Sequence, residues 1–176
     1  MLDWREQPIG RHHDRRRFDC GVEDLDIYLS RYARQNHDSG SAKTFVAVLP
    51  MEPTRVLGFY SISPGAIVFA DVPGNLTRKL GRYDVPVFRL GRLAVDRSVQ
   101  GRGLGGDLLL AAGARALAVA AEVGGVALAI DAQDGDAARW YARFGAVPLL
   151  DDPLKLILPL SIIAEACTRG ALPEGG

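Results

Sequence analysis

Cysteine is scarce in this 176-residue chain: Cys20 and Cys167 lie far apart and form neither a C-x-x-C pair nor a metal-ligand spacing. They read as two ordinary thiols, with no sign of a disulfide framework. No apolar run approaches the roughly 20 residues that span a bilayer. The opening Met1-Leu2-Asp3-Trp4-Arg5-Glu6 lacks the basic segment and apolar stretch of a secretion signal. A cytoplasmic protein with no membrane partner is therefore expected. Internal repeats, low-complexity tracts and linkers are also missing, so residues 1–176 are expected to form a single domain. Net charge is absent, with 21 basic and 21 acidic residues, but the balance hides an asymmetry. Residues 1–100 hold 15 Lys and Arg against 12 Asp and Glu, leaving +3, and the remainder holds 6 against 9, leaving −3. A basic first part suits an anionic macromolecular partner, although surface scatter alone produces such differences.

The chain does have a globular composition, 48% hydrophobic and 24% charged. Val22, Leu25, Tyr28, Leu29, Tyr32 and Ala33 recur at three- and four-residue steps, which predicts an amphipathic helix from about Val22 to His37. Thr44–Leu49 and Val56–Ser63 read as a hairpin, and Ala66–Asp71 as a further short strand. Arg78 to Tyr83 is expected to be an exposed excursion before a strand over Pro86–Val95. Leu104 to about Glu122 predicts a largely buried helix, ended by Gly124-Gly125. A buried strand over Val126–Ala132 follows, then a helix over Asp134–Phe144 stopped by Gly145, and strands over Ala146–Leu150 and Leu154–Leu160. Ile162–Gly176 is expected to be a short helical or irregular tail. This order implies an α/β fold, a mixed sheet with helices on both faces.

Between the Pro86–Val95 strand and the long helix lies Gln100-Gly101-Arg102-Gly103-Leu104-Gly105-Gly106. Glycines let consecutive N–H groups point into one concavity, and the helix that follows adds unpaired N–H groups and the positive end of its dipole. A pyrophosphate fits such a cradle. The Lys and Ser or Thr of a P-loop are missing, since Asp107-Leu108 follows, and the glycine spacing is not that of a dinucleotide fingerprint.

What fits is Gln-x-x-Gly-x-Gly from Gln100, Gly103 and Gly105, preceded by Leu93-Ala94-Val95-Asp96 and followed by Trp140-Tyr141-Ala142-Arg143-Phe144-Gly145-Ala146. The three elements in this order resemble the GNAT superfamily of acyl-CoA-dependent N-acyltransferases. The resemblance implies a mostly antiparallel sheet of six to seven strands, split beside the glycine loop to admit the pantetheine arm, with acetyl-CoA as co-substrate. It implies that Gln100, Gly101, Arg102, Gly103, Leu104, Gly105 and Gly106 hold the pyrophosphate. Main-chain groups of Leu93, Ala94 and Val95 would align the thioester. Tyr141 matches the tyrosine that protonates the departing thiolate in many members. A phenol of ordinary pKa about 10 can serve a thiol of about 8.5. On residue type alone, Tyr141 reads first as a residue that packs on the sheet beside Trp140 and Phe144, and the matching motif reverses that preference.

No general base is evident. An α-amino group, with an ordinary pKa of about 7.7 to 8.0, is partly neutral near pH 7, which favours an α-amine acceptor over a lysine side chain. Asp96, Asp131, Asp134 and Asp136 read first as loop or capping residues, and His12, His13 and His37 as exposed polar positions.

Phe18-Asp19-Cys20-Gly21, Leu25-Asp26, Tyr28-Leu29, Ala33 and Thr44-Phe45-Val46-Ala47, continued by Val85-Pro86-Val87 and Leu90 to Asp96, resemble the GNAT toxins of type II toxin–antitoxin modules over nearly the whole chain. That implies acetylation of the α-amine of aminoacyl-tRNA, arrest of translation, a ribbon-helix-helix antitoxin that supplies any operator DNA contacts, and a homodimer. Phosphate contacts would then fall to Arg78, Lys79, Arg82, Arg89 and Arg92, with Arg34 and Lys43 farther out. Arg89 and Arg92 have opposite strand parity and should not share a surface unless a bulge intervenes. Arg89 is also a charge where the toxin pattern is usually apolar, which either tunes the acceptor pocket or decorates an outward face. Other readings are a GNAT enzyme for a small amine or a protein amino terminus, and a corepressor acting with a DNA-binding partner.

Overall fold

The computed structural model describes residues 1–170. Seven strands form a sheet in the order β1-β2-β3-β4-β5-β7-β6. The chain divides into two compact units, 1–63 with 92–109 and 64–91 with the residues from 110 onward. Neither is continuous in sequence, because β3 (Gly58–Ile67), β4 (Val85–Val95) and α4 (Leu104–Val123) run through both.

In the first unit, β1 (Arg5–Pro8) pairs antiparallel with β2 (Lys43–Val48), which pairs antiparallel with β3. β1, a polar segment ending in proline at the edge of the sheet, was not expected from the sequence. The predicted amphipathic helix is a single helical run, α1 (Glu23–Ile27), a π turn (Tyr28–Tyr32) and α2 (Ala33–Ser39), ended by Gly40 in the left-handed region at φ +83. Its apolar residues Tyr28, Leu29 and Ala33 pack with Ile9, Phe18, Val46, Val48, Val56, Phe59 and Ala94. Gly58 permits close packing: a Cβ there would sit 2.8 Å from Leu108 Cδ1 and 3.1 Å from the Ala94 oxygen.

His13 corrects the expectation of an exposed histidine. It is 4% exposed, because both ring nitrogens are satisfied inside the fold. The Gly10 N–H donates to Nδ1 at 2.9 Å, which leaves the proton on Nε2 to be donated to Gln7 Oε1 at 2.9 Å.

In the second unit, the expected strand over Ala66–Asp71 does not exist. β3 continues through Pro64 and Gly65 to Ile67, and Phe69–Asp71 is a 3-10 turn that leads to α3 (Gly74–Thr77). β4 pairs parallel with β5 (Ala127–Asp131) from Val87–Ala127 to Leu90–Ile130, while β7 (Lys155–Pro159) pairs antiparallel with β5 and with β6 (Val147–Pro148). Ile67, Val72, Val85, Val87, Ala127, Ala129, Leu149 and Ile157 form the core of this unit.

α4 departs from the sequence reading twice. Its 20 residues are long and apolar enough, by length and composition, to cross a membrane. Yet Leu104, Leu108, Leu109, Ala112 and Ala116 are buried inside the fold, as in a core helix. The last turns are exposed rather than buried, with Val119 at 42% and Val123 at 76%. α5 (Gly135–Ala142) and α6 (Leu160–Arg169) complete the described chain. The helical tail expected over Ile162–Gly176 is thus α6 in its first part, and Ala171–Gly176 lie outside the described residues.

Candidate active site

The end of β4 leads directly into the glycine loop, and the junction is fixed by Asp96. Its Oδ1 accepts from the Ser98 N–H at 3.0 Å and the Ser98 hydroxyl at 2.7 Å, and its Oδ2 from the Asp19 N–H at 3.0 Å. Burial opposes the charge on Asp96. The bonds from Asp19 and Ser98, with the nearby Arg55 guanidinium, outweigh burial and hold the carboxyl below its ordinary range. Asp96 is thus the capping residue expected from the sequence, and it closes a 3-10 turn over Arg97–Val99.

Gln100 serves the loop rather than a ligand. Its Nε2 donates to the main-chain oxygens of Cys20 at 2.9 Å and Val95 at 2.8 Å, which ties the loop to β4. Gly101 and Gly103 stand in the left-handed region at φ +75 and +86, where a side chain is strained, and a Cβ on either would enter open space. The N–H groups of Leu104, Gly105 and Gly106 open α4 and have no carbonyl one helical turn earlier to bond. Asp107 returns to the helical ladder through Gly103 O at 3.1 Å, and its carboxylate accepts from Trp4 Nε1 at 3.2 Å. The loop thus presents backbone donors at the positive end of a 20-residue helix, with open space beside Gly101 and Gly103 and an exposed Arg102 between them. Leu93 and Val95 are half-buried and Ala94 is buried, so these side chains build the sheet while β4 runs on past its ladder with β5.

A separate cavity of about 240 Å³ is lined by Asp14, Arg17, Phe18, Asp19, Arg55, Val56, Asp96, Arg97 and Ser98. Its charges largely satisfy one another: Arg97 lies 3.5 Å from Asp19, and Arg55 donates to Ser98 Oγ at 2.8 Å. It braces the loop.

Tyr141 belongs to the second unit, on α5. Asp134 caps this helix by accepting the Ala137 N–H at 2.8 Å, and Gly145, at φ +102, turns the chain after it. The Tyr141 ring is buried edge-on against Trp140, with centroids 4.9 Å apart. Burial pushes its phenol well above the ordinary range, so the hydroxyl keeps its proton at any physiological pH. The group stands as a protonated donor, and burial makes it a weaker acid than an exposed phenol. Asp136 pairs with Arg139, and Asp131 is exposed at the end of β5.

The predicted cations are spread over distinct anchors. Arg78, Lys79 and Arg82 are exposed on the segment between α3 and β4. Arg89 lies across Gly65, where a Cβ would come within 2.6 Å of its Nε, and its Nη2 donates to Ala66 O at 3.3 Å. Arg92, in the first unit, stacks on Tyr28 with its guanidinium carbon 3.7 Å from the ring centre. Tyr28 was legible in the sequence only as one apolar position of a helix. Nothing in the spacing marked it as the seat of a cation.

A sequence profile of the Acetyltransferase (GNAT) family matches residues 10–146. The chain is similar to a tRNA-acetylating toxin of Mycobacterium tuberculosis, 39% identical over 141 residues that cover 80% of this chain and 82% of that protein. It is similar in structure to AtaT complexed with acetyl-methionyl-tRNAfMet, with a TM-score of 0.87 and 26% identity over 94% of this chain and 99% of that one. It is also similar to a tyrosine-to-phenylalanine mutant of AtaT bound to the C-terminus of the antitoxin AtaR and acetyl-CoA, with a TM-score of 0.80 and 25% identity over 94% and 99% of the two chains. Together with the glycine loop that opens α4, the match over 10–146 settles the family: this chain is a member of the GNAT acetyltransferases.

Proposed function

We propose that this protein transfers the acetyl group of acetyl-CoA to the α-amino group of aminoacyl-tRNA and so acts as the toxin of a toxin–antitoxin module. The observation that carries the reading is the loop of left-handed glycines opening on the α4 N-terminus, in a chain 39% identical to a tRNA-acetylating toxin. The profile match spans segments of both units, which supports reading the chain as one acetyltransferase domain.

The residues fit acetyl-CoA. Backbone N–H groups of Gly101 to Gly106 would hold the pyrophosphate, with Arg102 adding charge, and main-chain groups of Leu93 to Val95 would align the thioester. The neutral amine attacks the thioester carbonyl, the C–S bond breaks, and the thiolate takes a proton from the Tyr141 hydroxyl. Water accepts the proton released by the new amide. No side-chain base is required, because the α-amine is partly neutral near pH 7. The acylated amine can no longer attack peptidyl-tRNA, which stops elongation.

The cations Arg78, Lys79, Arg82, Arg89 and Arg92 are the proposed phosphate contacts of this substrate. A ribbon-helix-helix antitoxin that also carries the operator DNA contacts, a homodimeric assembly and action in the cytoplasm complete the reading. The test is competition in one reaction: charged tRNA, the same tRNA deacylated, free amino acid and peptide are offered together with labelled acetyl-CoA. Label on the charged tRNA alone is expected. Label on free amine or peptide instead would assign the protein to small-molecule or amino-terminal acetylation.

A further inference from the structure

Arg15, Arg16 and Arg17 precede Phe18, whose buried ring anchors the segment in the core of the first unit. Arg15 reaches the helical run and donates from Nη1 to the Ser30 oxygen at 3.1 Å. Arg34 stands four residues beyond Ser30, about one turn along the same side of that run. Arg15 Nε is buried without a hydrogen-bond partner, the one such side-chain atom among the described residues. Burial, then the charges of Arg34 and Arg16, lower the proton affinity of Arg15, which places both of those cations within the field of Arg15.

Beyond the Ser30 oxygen, no acid offsets this cost. Among the described residues no carboxylate comes within ion-pair range of Arg15, Arg16 or Arg34. The neighbouring acids are engaged elsewhere, Asp14 with the Arg17 N–H at 3.3 Å and Asp26 with the Cys20 N–H at 2.9 Å. The same unit does pair other arginines, Arg55 with Glu52 and Arg97 with Asp19. Like charges gathered by the fold without an acid beside them are unfavourable for the isolated protein, and an anion bound across their exposed N–H groups relieves the repulsion. Guanidinium groups match phosphate in geometry as well as in charge.

We propose that Arg15, Arg16 and Arg34 form a docking surface for the phosphodiester backbone of the tRNA substrate. Of the three, only Arg34 was expected near such a role from the sequence, as an outer contact with Lys43, the main contacts being Arg78, Lys79, Arg82, Arg89 and Arg92. The inference rests on the reading of the protein as an aminoacyl-tRNA acetyltransferase. It adds that the RNA path crosses the segment before α1. Of the anionic macromolecules that could sit there, RNA is favoured because it brings closely spaced charges to several arginines at once, where an acidic protein segment brings single carboxylates.

The test uses the full-length protein and an Arg16→Gln/Arg34→Gln double variant. Four readouts are compared: binding of uncharged tRNA across a salt series, acetylation of charged tRNA, acetylation of a phosphate-free aminoacyl-nucleoside, and inhibition by the antitoxin. In the variant, tRNA affinity falls about tenfold near 0.1 M salt, and the slope of log affinity against log salt decreases by about 1.5. KM for charged tRNA rises in parallel, while kcat, the KM for acetyl-CoA and the reaction with the nucleoside stay as in the wild type. Thermal stability at low salt is unchanged or higher, since repulsion has been removed. Wild-type tRNA affinity and salt slope in the variant would overturn the proposal, as would an equal loss on the phosphate-free acceptor. Intact tRNA binding with lost antitoxin inhibition would assign the surface to a protein partner instead. The two claims fail separately: a wild-type protein that binds tRNA with the expected slopes but never acetylates it refutes the catalytic reading and leaves the surface standing.

Discussion

The Arg92 guanidinium carbon lies 3.7 Å from the centre of the Tyr28 ring, and the Tyr28 hydroxyl is held from behind by Ser61 Oγ at 3.3 Å and Asn36 Nδ2 at 3.4 Å. Ser61 is in turn bonded to Thr44 Oγ1 at 2.5 Å. A cation–π seat orients a guanidinium through its face, so its N–H donors stay available in the plane, whereas a carboxylate partner would occupy them. Tyr28 thus positions Arg92 at the start of the segment expected to align the thioester.

Arg92→Ala is expected to raise KM for charged tRNA about tenfold, and Tyr28→Leu to raise it about threefold, from the roughly 0.5–1 kcal/mol of an exposed cation–π contact. The two effects should not add, because the ring acts through the cation. Tyr28→Phe keeps the seat and the KM, while removing the hydroxyl that accepts from Ser61 and Asn36, at about 1 kcal/mol of stability. Steady-state kinetics on the single and double variants, with thermal melting alongside, check this. Additive effects on KM would contradict the positioning role.

Tyr141→Phe should lower kcat by about a hundredfold with little change in acetyl-CoA affinity, the pattern of a lost proton donor. Since burial raises the phenol above its ordinary range, loss of this acid should not limit kcat through pH 9.5. A kcat profile of the wild type that falls between pH 8 and 9.5, with stable protein and saturating substrates, would assign the proton to another group.

Gly103→Ala tests the cradle. The left-handed φ of +86 disfavours alanine by roughly 1 kcal/mol, and the added methyl points into open space where a ligand's phosphates would approach. Acetyl-CoA affinity, measured by calorimetry, should fall about tenfold or more while the melting temperature moves by only a few degrees. A melting shift with unchanged affinity would place the phosphates elsewhere.

His13 makes the fold acid-sensitive. Burial, then the charges of His12 and Arg15, lower its pKa from 6.5 to about 4. The unfolded chain therefore takes up this proton first as the pH falls. Stability is fully present above about pH 6.5 and is lost progressively down to about pH 4, by about 2 kcal/mol between pH 7 and 5. Urea midpoints at the two pH values measure it. His13→Gln should flatten the dependence, and an unchanged slope in that variant would point to a different titrating group.

The glycine loop and the order of strands around it were legible because they depend on local chemistry. Left-handed φ selects glycine at Gly101 and Gly103, and burial selects the apolar runs of β4 and β5. What stayed hidden depends on pairing across distance. β1 owes its existence to the neighbouring β2, not to any β-propensity in Arg5-Glu6-Gln7-Pro8. The strand expected over Val56–Ser63 runs on as β3 through Pro64 and Gly65 to Ile67, with Gly65 leaving room for Arg89. His13 is buried because Gly10 and Gln7 satisfy it, a match with no periodic signature. In the candidate site, the motifs and the resemblance they carry pointed to Gln100, Tyr141 and the cations, but the internal bonds of Gln100 and the seat of Arg92 on Tyr28 needed coordinates.

The most direct measurement is digestion of a mixture of charged tRNAs after incubation with the wild-type protein and labelled acetyl-CoA, followed by mass identification of the aminoacyl-adenosines, with Tyr141→Phe in parallel. Acetyl on the α-amine of one or more aminoacyl-adenosines, greatly reduced in the variant, is the predicted result. Unmodified aminoacyl-adenosines from every tRNA, in a protein shown to bind acetyl-CoA, would contradict it.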